Sequence, residues 1–70
     1  MDDIKRQLSV RIRSLRKKHN FTQEQLSETS GIEYKHIQKI ESQNPSDVKL
    51  TTLRKLAKAF NLSLSKFLDF

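Results

Sequence analysis

Seventy residues without a cysteine make one small domain, and no disulfide or thiolate metal site can staple it. Its apolar runs are far too short to span a bilayer, and its start, MDDIKRQL, has no apolar signal region, so a cytoplasmic protein is expected. Fourteen Lys and Arg against eight Asp and Glu leave a net charge of +6, which suits a polyanion such as nucleic acid.

A chain of this size buries only about 60% of its surface on folding, so oligomerisation is a natural source of added stability. Solubility alone would account for the charge sum; where the charges fall carries more information. Asp2 and Asp3 precede a run in which Ile4, Leu8, Ile12 and Leu15 recur at helical spacing. The spacing predicts one apolar helix face, with both carboxylates complementing the helix N-terminus. Val10 points away from that face and has no assigned role. Arg11, Arg13, Arg16, Lys17 and Lys18 cluster toward the C-terminal half. Cations there suit the helix dipole, and some can reach phosphates. His19 ends the helix close to its apolar face. It reads as a packed or capping group, since no second metal ligand sits nearby. Asn20 can take the left-handed position that closes a helix.

The next stretch, FTQEQLSETSGIEYKHIQKIES, predicts two short helices joined by a tight turn. Thr22 is an N-cap, and Gln25 three residues on completes a capping box. Phe21 and Leu26 occupy the two positions of a hydrophobic staple. This helix runs from about Gln23 to Ser30. Gly31, the chain's single glycine, falls where it must stop and can turn left-handed without the cost of a Cβ. Ile32 follows as an apolar plug. The second helix runs to about Ser42, with Ile37, Ile40 and Glu41 on one face and Lys35, Gln38, Lys39 and Ser42 opposite.

Gln43 to Val48, with the single proline, predicts a loop within the domain. A fourth helix runs from about Leu50 or Thr51 to Phe60. Leu53, Leu56, Ala57 and Phe60 form its inner face, and Arg54, Lys55 and Lys58 lie outward as a solvated face. Asn61 ends it, and Leu62 packs beyond. Ser63 caps a fifth short helix holding Leu64, Phe67 and Leu68, although Lys66 stands where a capping box would want Glu. No repeat or convincing strand is evident. The two histidines have no metal-pair spacing, no glycine-rich loop could cradle a phosphate, and no serine sits in a nucleophile motif. No enzyme, cofactor, metal site or small-molecule ligand is therefore expected.

Gln23, Leu26, small Ser27, Gly31, Ile32, Ile37, Ile40 and Glu41, within FTQEQL and the KIE ending, form a pattern that resembles the helix-turn-helix of the lambda-repressor-like family. That family also includes small bacterial regulators and restriction-modification controller proteins. The resemblance runs from about Ile4 to Leu68. Ser27 departs from the family's usual Ala, and Glu33 from its frequent Ser or Thr. What it implies is an all-α, compact five-helix domain over residues 1–70 that binds double-stranded DNA and regulates transcription as a homodimer on a near-palindromic operator. The rival is a protein-interaction module, such as an antitoxin whose main partner is a toxin. A disordered tail that folds on a toxin would favour that rival, and this chain has none.

The second helix of such a motif enters the major groove. The family's base-reading positions fall on Tyr34, Lys35 and Lys39, while helical geometry by itself exposes Lys35, Gln38 and Lys39 and leaves Tyr34 on the flank. Lysine donates to guanine O6 and N7, and glutamine pairs with adenine. Tyr34 could touch a thymine methyl or bond a phosphate. Glu33 could favour the helix dipole, accept from cytosine N4 or repel phosphate. Phosphate contacts are expected from Gln23, at a helix N-terminus where family members commonly touch phosphate, and from His36, Ser42, Gln43, Asn44 and Lys49. The family commonly pairs the positions of Arg16 and Glu41, which predicts an inward ion pair. Phe67, Leu68 and Phe70 crowd the C-terminus with more apolar surface than one short helix needs, so the dimer interface is expected there.

Overall fold

Asp3 starts the first helix by accepting the Arg6 backbone N–H on its carboxylate at 3.3 Å. A computed structural model describes residues 3–70, so the expectation for Asp2 lies outside the described residues. Five helices follow in order: α1 (Ile4–Lys18), α2 (Gln23–Ser30), α3 (Tyr34–Ile40), α4 (Leu50–Ala59) and α5 (Leu64–Phe67). Among the described residues there is no strand. The fold is all-α, as the sequence predicts.

Each helix stops for a local reason. Asn20 and Asn61 both adopt the left-handed conformation, at φ 58° and 59°. After α1, the N–H groups of Asn20 and Phe21 reach back to the carbonyls of Lys17 and Arg16, and Asn61 and Leu62 repeat this on Lys58 and Ala57 after α4. These are paired Schellman closures, with asparagine in the place usually taken by glycine. Gly31 ends α2 at φ 75°. Thr22 and Gln25 form both bonds of the capping box, at 3.1 and 2.8 Å. Ser63 accepts the Lys66 N–H at 3.2 Å and so starts α5.

Leu8, Ile12, Leu15, Leu26, Ile32, Ile37, Ile40, Leu56, Ala57, Phe60 and Phe67 form the core. The expected apolar face of α1 is shortened by one turn. Ile4 is 64% exposed, and the buried face begins at Leu8. His19 is the C-cap of α1 and stays exposed on one side: its Nδ1 lies 3.0 Å from the Leu15 carbonyl oxygen, and its ring sits 5.3 Å from Phe60. A helix of four residues cannot persist alone. Arg11 holds α5 in place by donating from Nε to the Phe67 carbonyl and from Nη2 to the Lys66 carbonyl, both at 3.0 Å.

Ser9 is buried on the inner face of α1, and its hydroxyl has no hydrogen-bond partner. A desolvated hydroxyl without a partner destabilises, and alanine also has the higher helix propensity. Ser9→Ala is therefore expected to stabilise the domain by about 1 kcal/mol and raise its Tm by roughly 4–8 °C. Thermal unfolding checks this; a lower Tm would mean that the hydroxyl is satisfied.

Candidate nucleic-acid interface

The α2–α3 pair is fixed from behind. Ile37 and Ile40 anchor α3 in the core at 0% and 1% exposure, and Ile32 plugs the turn at 5%. The turn carries its own hydrogen bonds. The Ser27 hydroxyl donates to the Ile32 carbonyl, and the Ser30 hydroxyl accepts the Ile32 N–H at 3.2 Å. Serine at position 27 thus satisfies a turn carbonyl, which alanine would leave free.

Glu41, the residue that closes α3, is tied to three other groups. Arg16 donates to its two carboxylate oxygens from Nε at 2.8 Å and Nη2 at 3.0 Å, while Arg16 Nη1 donates to the Phe21 carbonyl at 2.9 Å. Gln23 Nε2 adds a bond to the same carboxylate at 3.2 Å. Arg13 Nη2 donates to the Glu41 backbone carbonyl at 2.7 Å. The side chains of Arg16 and Glu41 are 15% and 3% exposed, so the pair lies inside the domain.

With its back held in this way, α3 turns Glu33, Tyr34, Lys35, Gln38 and Lys39 to solvent. None of the last three enters the bonds that hold the helix pair. The exposed face is thus a row of one amide and two ammonium donors on a supported helix.

The model of the family described as Helix-turn-helix matches residues 12–67. The chain belongs to this helix-turn-helix family. Over 66 residues it is also 44% identical to Control protein C.SmaI of Serratia marcescens, covering 94% of this chain and 77% of that protein. No solved structure matches it significantly. As a member of the family, the chain is a DNA-binding regulator of transcription. Among the described residues no helix is long and apolar enough to cross a membrane.

The residues expected at phosphates are not equivalent. Gln23 spends one amide hydrogen on Glu41 and keeps a second, since an amide nitrogen carries two. Gln43, Asn44 and Lys49 are exposed around the loop after α3. His36 lies apart from them, half-buried in a hollow shared with Gly31, Glu33, Thr52 and Lys55. Ser42 donates its hydroxyl hydrogen to the Lys39 carbonyl at 2.7 Å and so closes α3, which ends at Ile40 rather than at about Ser42.

The C-terminal expectation also divides. Phe67 is 0% exposed and its ring packs 6.1 Å from that of Phe60, so it belongs to the core and is unavailable to a second copy. Leu68 and Phe70 remain outward at 37% and 48%. Both line a hollow with Ile4, Val48 and Leu53, and Phe70 continues into a second hollow beside Val10 and Arg11. Sequence reasoning left Ile4 and Val10 out of this strip. Val10, off the periodic face of α1, was the available signal.

Proposed function

We propose that the protein is a controller-type regulator that binds a near-palindromic operator as a homodimer, with Lys35, Gln38 and Lys39 reading bases and Tyr34 contributing from the flank. The observation that carries this is the donor row of the recognition helix, exposed while the opposite face is locked in the core. Similarity to Control protein C.SmaI supports the controller role. Gln23, Gln43, Asn44 and Lys49 supply phosphate contacts that fix register, and His36 does so from the α4 side. The strip of Ile4, Val10, Leu68 and Phe70 supports self-association: exposed apolar residues that are contiguous mark an interface, whereas scattered ones do not.

The test is to select bound fragments from genomic DNA and sequence them. A single recurring site should emerge, with two-fold symmetry and half-sites centred about one helical turn (~34 Å) apart. Recovery of fragments with no common sequence would refute the reading.

Self-association has its own expected result. Sedimentation at micromolar concentration should show a dimer, and Phe70→Asp should weaken association by about tenfold or more, since it would bury a charge. The melting of the dilute monomer should change little, because Phe70 lies outside the core. A monomer at that concentration, with and without DNA, would contradict the dimer.

A further inference from the structure

Arg13 is one turn before Arg16 on α1, and both arginines end on the same residue. Arg16 holds the Glu41 carboxylate, and Arg13 Nη2 holds the Glu41 backbone carbonyl at 2.7 Å, the shorter of the two attachments. The attachments differ in kind. Three side-chain torsions separate the carboxylate from the backbone of Glu41, so that tie alone allows the end of α3 to turn about its axis. A bond to the carbonyl acts on the backbone directly. Two ties spaced three residues apart on α1, added to the buried Ile37 and Ile40, restrict this freedom further. The recognition helix has only seven residues, so an error at its end is transmitted to Lys39 and Gln38 within one turn.

The tolerance for such an error is small. A helix with its side chains is ~10–12 Å across, so a rotation of ~15° displaces its outer groups by roughly 1.5 Å. Binding constellations need to be held within about 0.5 Å and 10–20°. We propose that Arg13 is a positioning residue for base reading: by holding the Glu41 carbonyl, it sets the rotation of the recognition helix about its own axis. One of its five guanidinium donors is thereby engaged within the protein. This inference rests on the reading of α3 as the base-reading element.

The experiment compares Arg13→Gln and Arg13→Lys with the wild type on a selected operator and a scrambled duplex, at several salt concentrations and below each variant's melting transition. Arg13→Gln is too short to reach the carbonyl and should lose about tenfold in the ratio of operator to scrambled affinity. Its salt slope should be unchanged. Arg13→Lys should recover part of the ratio, because its ammonium can reach the same oxygen. A role in stability alone would lower the Tm and leave the ratio intact, which overturns the proposal. A salt slope lower by about one unit with an intact ratio would make Arg13 a phosphate contact and also overturn it. If Arg13→Gln does not fold, Arg13→Lys decides alone: a reduced ratio supports the proposal and an unchanged ratio sinks it. A wild type that fails to discriminate would sink the base-reading assignment itself, a result distinct from failure of Arg13 alone.

Discussion

Arg16→Ala should cost the domain about 3–5 kcal/mol, because it strands a carboxylate inside the protein. Glu41 has a 3% exposed side chain, and the remaining bond from Gln23 is a neutral amide at 3.2 Å that cannot replace a bidentate guanidinium. For a chain of this length the total stability is about 4–10 kcal/mol. The variant should therefore have a much lower Tm, as circular dichroism during heating would report. Replacing both partners with apolar residues of similar volume, Arg16→Met with Glu41→Leu, should restore much of the loss, since no charge then remains buried. A single variant that melts like the wild type would show that the pair is solvated.

Phe67→Ala should cost about 3–5 kcal/mol, the range for removing a buried aromatic ring. The ring is fully buried against Phe60 although it stands fourth from the end of the chain. Because the loss falls on the fold, the unfolding midpoint in denaturant should drop at every protein concentration. Phe70→Asp should instead act through association and so depend on concentration. A Phe67→Ala variant that kept the wild-type midpoint while losing only association would return Phe67 to the interface.

What could be read from the sequence was local. The Thr22–Gln25 capping box, the left-handed Asn20 and Gly31, and the Ser63 cap each depend on residues within one turn, and each forms as expected. The Thr22 cap and the Gly31 stop gave α2, and the apolar residues at helical spacing gave α4, nearly to the residue. The resemblance to the family pointed to the Arg16–Glu41 pair, but the destinations of the other long polar side chains were not legible. Arg11, Arg13 and Arg16 carry the same guanidinium along one helix, yet they end on α5, on a backbone carbonyl and on a carboxylate. Only the packing of distant elements decides which acceptor comes within reach. The same holds for Ser42, whose hydroxyl found the Lys39 carbonyl. Ile4 and Phe67 exchanged roles for a related reason: periodicity marks a face as apolar but not where along a helix the core ends.

Binding of Lys35→Ala and Lys39→Ala to a selected operator and to a scrambled duplex, across several salt concentrations, tests the central claim most directly. A lysine that reads guanine should cost about 1–3 kcal/mol on the operator and relax discrimination at that base, whereas a phosphate contact should weaken both duplexes and lower the salt slope by about one unit. Lys58→Ala, exposed on α4 and not among the residues of the His36 hollow, serves as the control and should change both little. The account predicts that Lys35→Ala and Lys39→Ala weaken operator binding more than non-specific binding. Equal weakening of both duplexes would contradict it and make these lysines phosphate contacts.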